Sequence, residues 1–325
     1  MTSPLDLLEI PELDARLDSV DDHLIRTCSV GSPEIATSSS RMVAAGGKRL
    51  RPALTVATAN LDQVFNPQVV AAAAAVELVQ VGSLVHDDIF DAALTRRGTP
   101  TINAVEGPDE ALLAGTYLLA RAAAEAASAG QEVAIDVART VAQLCVGQAT
   151  ETEHLFDVEQ GLNQYLFNSE GKTAALFACS CRVGALSAGL SGDEIHQLGE
   201  FGRNFGMAFQ IIDDVLDLIG DPALLGKPVG ADVGSGVLTM PVLLELADCR
   251  GGDLRALLKR RSPADLQQVT RMIVESGRID EAIDAARAYA AAAATSIDIL
   301  PRTTRTFSRF PYSYIDWALN QFLAA

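Results

Sequence analysis

Two acidic clusters of identical spacing carry the clearest chemistry in this sequence. They read Asp87-Asp88-Ile89-Phe90-Asp91 and Asp213-Asp214-Val215-Leu216-Asp217, and both have apolar flanks. Positions i, i+1 and i+4 of a helix fall on one side, so we expect each cluster to present its carboxylates to one patch. Crowded carboxylates in apolar surroundings need a cation, and hard oxygen ligands favour Mg²⁺. Because phosphate oxygens commonly complete the coordination of such Mg²⁺, the pattern indicates a diphosphate substrate.

Cationic residues recur in short glycine-associated motifs. Glycine allows a sharp turn beside an anion, while Lys supplies a point charge and Arg a planar fork for phosphate oxygens. The motifs are Gly46-Gly47-Lys48-Arg49-Leu50-Arg51-Pro52, Thr95-Arg96-Arg97-Gly98, Glu170-Gly171-Lys172-Thr173 and Gly226-Lys227-Pro228. The first is equally compatible with a solvated basic turn, and the arginines of the second would by themselves more often be ordinary surface charge, but three of the only four lysines fall within these motifs. Together they predict anion binding.

The elements that must position these residues are predicted to be helices. Ala is abundant, aromatic residues make up 5% of the chain, and no β-type alternation is sustained. Breaks at Gly and Pro separate helical stretches, which predicts an all-α bundle of roughly ten or more helices. Leu13, Leu17, Val20 and Leu24 predict an amphipathic helix within a lead-in over residues 1–40, packed on the body. The first acidic cluster is expected at the end of a long helix over 67–90, and a single domain is expected over 1–325.

In this order, the motifs resemble those of the trans-prenyltransferases, the all-trans isoprenyl (polyprenyl) diphosphate synthases. The resemblance extends from about Gly46 to Pro241. It rests on the basic run Gly46–Pro52, on Leu-Val-His-Asp-Asp-Ile-Phe-Asp with the Arg-Arg-Gly beyond it, and on Phe-Gln-Ile-Ile-Asp-Asp-Val-Leu-Asp with the Lys227 loop. It implies an all-α bundle around a deep central cavity, usually a homodimer. It also implies that isopentenyl diphosphate condenses with an allylic diphosphate by ionisation, condensation and elimination.

The resemblance assigns roles to individual residues. It implies Mg²⁺, three ions with substrate bound, on Asp87, Asp88, Asp91, Asp213 and Asp217, with Asp87, Asp91 and Asp213 as direct ligands. The allylic diphosphate would be held by Arg96, Lys172, Thr173, Gln210 and Lys227, of which Arg96, Lys172, Gln210 and Lys227 act catalytically on the leaving group. Isopentenyl diphosphate would be bound by Lys48, Arg51, Gln80 and Arg97. His86 is expected to orient or pack beside the acidic cluster and is not assigned the role of base.

Product length follows from the helix before the first acidic cluster. In the resembling enzymes the growing chain runs beside that helix, where bulky aromatic residues stop it at C15. Val79, Gly82 and Ser83 are small or medium here, so a product of C20 or longer is predicted, and within that range a medium- or long-chain polyprenyl diphosphate. Three positions depart from the commonest family pattern: Gln80 replaces a frequent His, Thr116 an Asp, and Val237 a Lys. The predicted metal ligands are unaffected.

Composition excludes several classes of function. A net charge of −17 argues against nucleic-acid binding, and neither Cys nor His shows metal-ligand spacing. The longest stretch without a charged residue, Gln63–Val76, is shorter than the ~18 apolar residues of a transmembrane helix. No signal peptide is visible. A cytoplasmic protein is therefore expected, with an apolar product that is handed to the membrane.

Three alternatives remain open at this point. The first is a geranylgeranyl diphosphate synthase. The second is a class I terpene cyclase, against which the Gly46–Pro52 motif and the Arg96-Arg97 pair both argue. The third is a non-catalytic partner subunit of a synthase, against which the presence of both acidic clusters argues.

Overall fold

The computed structural model of the chain describes residues 3–225, 228–248, 252–298, 300 and 305–323. The all-α prediction is confirmed, and the described residues form more than ten helices. In chain order they are α1 (Leu13–Cys28), α2 (Pro33–Ala44), α3 (Leu50–Ala59), α4 (Pro67–Phe90), α5 (Ile102–Val105), α6 (Pro108–Ala129), α7 (Gln131–Glu153), α8 (Leu162–Ser169), α9 (Ala175–Ala188), α10 (Gly192–Ile219), α11 (Pro222–Leu225), α12 (Ala231–Ser235), α13 (Met240–Ala247), α14 (Gly252–Arg260), α15 (Pro263–Glu275), α16 (Arg278–Ser296) and α17 (Arg305–Phe322).

The chain divides into two compact units. The first contains the described residues within 1–142, 176–202 and 299–306, and the second those within 143–175, 203–298 and 307–325. The first acidic cluster belongs to the first unit and the second cluster to the second unit. That the whole chain forms a single domain stays a prediction.

Helix α4 forms the centre of the first unit and has the predicted bounds. The Asn66 side chain accepts a hydrogen bond from the backbone N–H of Val69 at 2.9 Å, and Pro67 occupies the first turn. Small residues let α6 approach closely, since a Cβ on Gly82 would lie 3.1 Å from the carbonyl oxygen of Gly115. By length and composition this helix is also apolar enough to cross a bilayer, which differs from the expectation based on uncharged stretches in the sequence. In the structure, however, 72% of its apolar 18-residue stretch is buried inside the protein.

The predicted amphipathic helix in the lead-in is α1. Its stripe residues Leu13, Leu17, Val20 and Leu24 are all buried. The helix is also held by a polar contact, because the ring Nε2 of His23 lies 2.7 Å from a carboxylate oxygen of Glu125 on α6. The stripe is therefore buried within the first unit, and the packing of the whole lead-in over residues 1–40 on the body stays a prediction.

A short hairpin follows α4. Strands β1 (Thr95–Arg96) and β2 (Thr99–Pro100) pair antiparallel, and Arg97 and Gly98 between them have positive φ. Arg41 of α2 donates from Nη1 to the carbonyl oxygen of Pro100 at 2.6 Å. The hairpin thus holds both arginines of the Thr95–Gly98 motif close to the end of α4.

In the second unit, a close helix crossing sets the position of the Glu170–Thr173 motif. Between α8 and α9 the chain forms a π-helical turn, Glu170–Ala174. A Cβ on Gly147 of α7 would lie 2.6 Å from the backbone nitrogen of Lys172, so α7 and this turn touch backbone to backbone. π-helical turns are rare and occur frequently at functional sites.

Candidate active site

In the first acidic cluster the three carboxylates do not share one exposed patch, which corrects the expectation from spacing alone. Asp88 points inward, and its side chain is 2% exposed. Asp87 is half-buried, and Asp91, which caps the C-terminus of α4, is exposed. Adjacent helical positions diverge by about 100°, which separates Asp88 from its neighbours. Two of the acids therefore face the less buried side, and the third lies inside.

Asp88 holds Arg96, the arginine to which a catalytic role was assigned. Its Oδ1 accepts a hydrogen bond from Nε of Arg96 at 2.7 Å and forms an ion pair with Nη2 of Arg96, also at 2.7 Å. Burial raises the pKa of the Asp88 carboxyl above its ordinary value, and the Arg96 guanidinium opposes that rise. Arg96 is thereby fixed beside the acidic cluster.

The other hairpin arginine joins two sequence motifs. The guanidinium of Arg97 lies directly against Gly47, where a Cβ would be 2.5 Å from Cζ. Desolvation lowers the pKa of Arg97, and the nearby charges of Arg49 and Arg96 lower it further, whereas Glu77 raises it. Several cations are therefore concentrated where the Gly46–Pro52 turn meets the hairpin.

Within the Gly46–Pro52 turn the three cations have different surroundings. Arg49 is an anchor, because its guanidinium contacts Glu77 at 2.5 Å and Asp21 at 2.9 Å. Lys48 is exposed. The guanidinium of Arg51 lies over the ring of Phe177, 4.3 Å from its centroid. Arg49 was not among the predicted binding residues, and these contacts give it a structural role.

Two further predicted residues lie on α4. Gln80, predicted to bind isopentenyl diphosphate, is half-buried. His86 packs on α6: its ring Nε2 lies 3.3 Å from the carbonyl oxygen of Leu112, and its ring occupies the space that a side chain on Gly115 would fill. That His86 orients the acidic cluster or packs beside it stays a prediction.

The second acidic cluster is also divided between surface and interior. Asp213 is exposed, whereas Asp214 and Asp217 are 3% and 1% exposed. The backbone N–H of Asp232 donates to Oδ2 of Asp217 at 3.2 Å, so Asp217 holds the first turn of α12. Burial is the main reason that the pKa of Asp214 is raised well above its ordinary value.

Around Asp214 lies a polar pocket that belongs entirely to the second unit. Its lining includes the predicted residues Lys172, Thr173 and Gln210, together with Asp214 and Val237. The hydroxyl of Thr173 donates to Oε1 of Gln210 at 2.6 Å, and Nε2 of Gln210 donates to Asp214 at 2.7 Å. The structure thus brings three predicted diphosphate-binding residues together. Lys227, which was also predicted to bind the allylic diphosphate and to act catalytically, lies outside the described residues.

Sequence reasoning missed several side chains of this pocket. Glu151 is ion-paired with Lys172 at 2.5 Å, and the Tyr165 hydroxyl donates to Asp214 at 2.6 Å. His154 also lines the pocket, and its Nδ1 donates to the carbonyl oxygen of Thr150 at 2.7 Å. None of these three lies in a compact motif. Asp214, by contrast, belongs to the second acidic cluster. Its position within an apolar stretch of the sequence was the feature that could have indicated a buried carboxylate.

The predicted chain-length residues have different environments. Val79 is 1% exposed, and Ser83 is half-buried. Gly82 faces α6, where a Cβ would lie within 3.3 Å of atoms of Gly115, Leu119 and Leu118. A large side chain at position 82 would therefore have to displace α6, so Ser83 is the better position at which to narrow a channel.

The donor set fits a divalent cation that is completed by its ligand. Among the described residues, no three His, Cys, Asp or Glu side chains are placed to hold a metal ion by themselves. Mg²⁺ commonly takes only one or two carboxylates and obtains its remaining ligands from water and phosphate. Oδ2 of Asp88 is buried and has no hydrogen-bond partner among the described residues, and Asp87 lies beside it in the chain. Exposed oxygens at Asp91 and Asp213 fit the same role.

Comparisons with known proteins agree with this chemistry. A sequence model of the polyprenyl synthetase family matches residues 32–275. Component 2 of the heptaprenyl diphosphate synthase of Geobacillus stearothermophilus is 38% identical over 72% of this chain and 73% of its own length. A short-chain isoprenyl diphosphate synthase of Methanocaldococcus jannaschii is 39% identical over 70% of each chain. The crystal structure of a polyprenyl synthase from Caulobacter crescentus, complexed with calcium and isoprenyl diphosphate, superposes with a TM-score of 0.88 at 31% identity, covering 97% of both chains.

Proposed function

The chain belongs to the polyprenyl synthetase family and is an enzyme of the trans-polyprenyl diphosphate synthase class, and from this premise we propose its substrates and product. It condenses isopentenyl diphosphate with an allylic diphosphate and releases an all-trans product of C20 or longer. Divalent metal use is general in the family, and for this chain we propose Mg²⁺, three ions with substrate bound. The Caulobacter relative, which was crystallised with calcium and isoprenyl diphosphate, supports this choice of ligand class.

One observation carries the proposal. The buried carboxylate of Asp88 holds Arg96 at 2.7 Å beside the first acidic cluster, and Arg97 lies against Gly47 in the basic turn. Two motifs that are distant in sequence therefore meet as one cationic surface next to Asp87. Such a surface binds diphosphate through charge-assisted hydrogen bonds, whereas the bare acidic cluster would repel it.

Residues of this cationic surface act on different substrates in the proposed reaction. Arg96, fixed by Asp88, binds the allylic diphosphate, and Arg97 binds isopentenyl diphosphate together with Lys48, Arg51 and Gln80. The pairing with Asp88 holds the Arg96 fork in place before substrate arrives, which avoids an ordering cost during reaction. Asp87 and Asp91 supply metal ligands from the less buried side of the cluster.

In the second unit, the pocket residues stabilise the departing diphosphate. Lys172 supplies a positive charge from the π-helical turn, with Glu151 holding its ammonium group at 2.5 Å. Thr173 and Gln210 are linked by a 2.6 Å hydrogen bond and provide polar contacts in the same pocket. Lys227 is proposed to join them, and Asp213 and Asp217 to supply metal ligands. When bound, Mg²⁺ supplies Lewis-acid stabilisation of the charge on the diphosphate oxygens.

Product length is proposed to exceed C15 because no bulky side chain lies at Val79, Gly82 or Ser83. The two relatives described above carry names from both short-chain and heptaprenyl synthases, so the alternative of a C20 geranylgeranyl product is kept. A medium or long polyprenyl product is apolar and would be handed to a membrane.

A homodimer is the proposed assembly. Leu112 and Leu113 at the start of α6 are 54% and 59% exposed, and Ala120 and Ala123 continue an exposed apolar face along this helix. Exposed apolar faces of this kind commonly mark protein interfaces. A cytoplasmic location is proposed with it, supported by the burial of most of α4.

Incubation of the purified protein with Mg²⁺, labelled isopentenyl diphosphate and allylic primers of different lengths tests the proposal. We expect products longer than C20 by mass analysis and none when the metal is chelated, whereas a product that stops at C20 would identify a geranylgeranyl diphosphate synthase. Arg96→Gln should lower the rate at least about tenfold through loss of a charge-assisted contact. Arg260→Gln, which removes an exposed arginine paired with Asp265, is the matched control and should leave the rate unchanged.

Each alternative predicts a different result. Conversion of an allylic diphosphate to a cyclic hydrocarbon without isopentenyl diphosphate would identify a terpene cyclase. Failure to consume isopentenyl diphosphate with every primer would identify a non-catalytic subunit. In that case, activity restored by a second protein would assign this chain the role suggested by the word "component" in the name of its Geobacillus relative.

A further inference from the structure

We propose that Tyr165 is a positioning residue that fixes the amide orientation of Gln210, and thereby decides which atoms the pocket offers to a diphosphate. The inference deepens the proposed function and rests on it. Tyr165 lies on α8, outside the sequence motifs, and acts through Asp214 without needing to touch the substrate.

The first step is that both oxygens of the Asp214 carboxylate accept a hydrogen bond. The Tyr165 hydroxyl donates to its Oδ2 at 2.6 Å, and Nε2 of Gln210 donates to its Oδ1 at 2.7 Å. Tyr165 and Asp214 are only 5% and 3% exposed. Each carboxylate oxygen therefore has a defined partner in a buried setting, where an unpaired polar atom is unfavourable.

The second step is the polarity of the amide. Because Nε2 of Gln210 is turned toward Asp214, its Oε1 is turned toward Thr173, whose hydroxyl donates to it at 2.6 Å. An amide NH₂ has two hydrogens, and one is used by Asp214. The other remains for a ligand oxygen, while the hydroxyl hydrogen of Thr173 is already used. The pocket thus offers an N–H at Gln210.

The third step concerns removal of the tyrosine hydroxyl. Without it, Oδ2 of Asp214 loses its buried donor, and the carboxylate is free to rotate or to take up water. The amide of Gln210 then loses the fixed acceptor that sets its orientation. A flipped amide would present Oε1 to the pocket, where it repels a phosphate oxygen. The effect should therefore fall on the affinity for the allylic diphosphate.

The variant Tyr165→Phe tests this, because it keeps the ring and removes only the hydroxyl. We expect KM for the allylic diphosphate to rise about tenfold, with KM for isopentenyl diphosphate unchanged. Tyr117→Phe is the matched control, since the Tyr117 hydroxyl donates to the backbone carbonyl of Val30 on a different part of the chain. Its kinetics should equal those of the wild type.

A double-mutant cycle separates positioning from direct contact or general damage. In a Gln210→Leu background, Tyr165→Phe should have no further effect on KM for the allylic diphosphate. Thr173→Val, at the other end of the network, should resemble Tyr165→Phe in raising that KM alone. An additive effect of Tyr165→Phe in the Gln210→Leu background would overturn the proposal. So would equal changes in the KM values of both substrates.

A binding measurement, which needs no turnover, tests this inference independently of the proposed function. Calorimetric titration with inorganic pyrophosphate and Mg²⁺ should show about tenfold weaker binding to Tyr165→Phe than to the wild type. A wild type that binds pyrophosphate but transfers no prenyl group would refute the proposed function and leave this inference standing on its binding result. Equal pyrophosphate affinity of the two proteins would refute the inference.

Discussion

The guanidinium of Arg97 lies flat against Gly47, and the missing side chain of that glycine provides the space. A Cβ at position 47 would be 2.5 Å from Cζ of Arg97 and 2.6 Å from Nη1. The φ of Gly47 is +144°, a backbone conformation that residues with side chains rarely adopt. One glycine therefore serves both the basic turn and the position of an arginine some fifty residues later in the sequence.

Gly47→Ala should displace Arg97 and weaken isopentenyl diphosphate binding. We expect KM for isopentenyl diphosphate to rise about tenfold, the size of one lost charge-assisted hydrogen bond, with a smaller effect on the allylic substrate. Steady-state kinetics with each substrate varied in turn measures both constants.

A control separates backbone strain from the contact with Arg97. Gly189 also has a positive φ of +77°, but a Cβ there would meet nothing within 4 Å. Gly189→Ala should lower the melting temperature without changing either KM. If it raises KM for isopentenyl diphosphate as much as Gly47→Ala does, the contact with Arg97 is not the cause.

The contact at Gly47 also marks the limit of what the sequence predicts. The all-α class, the bounds of α4 and the burial of the α1 stripe all follow from periodicity and capping, because these are local properties of the chain. Which of two adjacent aspartates faces inward does not follow from spacing. Burial of Asp88 depends on its pairing with Arg96, which the hairpin supplies after α4 has ended.

Pocket residues that lie outside the sequence motifs could not be predicted either. Tyr165 and Glu151 join the pocket only because α8 and the end of α7 pack against the π-helical turn, and neither residue type is unusual in a helix. Gly147 carried a faint signal, since glycine inside a helix is unfavourable unless a close approach requires it. Nothing in a single sequence shows what approaches it.

Gly147→Ala should move the π-helical turn and therefore Lys172. A Cβ at position 147 would lie 2.6 Å from the backbone nitrogen of Lys172. Because this is a backbone atom, it cannot rotate away as a side chain could. We expect a loss of stability of about 1–3 kcal/mol, typical of overpacking, together with a higher KM for the allylic diphosphate. Gly161→Ala is the control, because a Cβ there meets nothing within 4 Å. Denaturant unfolding and steady-state kinetics measure both variants, and equal effects of the two substitutions would contradict the role of the helix crossing.

Ser83→Phe should shorten the product. Ser83 is half-buried on α4, and its hydroxyl donates to the Gln80 carbonyl oxygen of the same helix at 3.0 Å. A ring at this position is expected to narrow the path of the growing chain. Gly82→Phe should instead destabilise the fold, because the space beside Gly82 is filled by α6. Mass analysis of products measures the first effect and thermal unfolding the second, and an unchanged product length with Ser83→Phe would remove the basis for the C20 prediction.

The cysteines should differ sharply in reactivity. Cys28 is buried, and desolvation raises its pKa to about 11, whereas Cys145 is exposed. Alkylation requires the thiolate, and a raised pKa keeps Cys28 in the thiol form at every pH well below that value. In the native protein at pH 8, iodoacetamide should therefore label Cys145 and leave Cys28 unmodified, as read by peptide mass mapping. Equal labelling of the two would show that α1 does not stay packed.

Val237 lines the same pocket as Lys172 and Gln210, at a position where many members of the family have Lys. Val237→Lys should add a cation to this pocket and strengthen diphosphate binding. We expect KM for the allylic diphosphate to fall about fivefold, corresponding to ~1 kcal/mol, and release of the product diphosphate to slow, because a uniform gain in binding holds product as well as substrate. Val237→Met changes size and shape without charge and should leave KM unchanged. A fall in KM with Met as large as that with Lys would assign the effect to packing and not to charge.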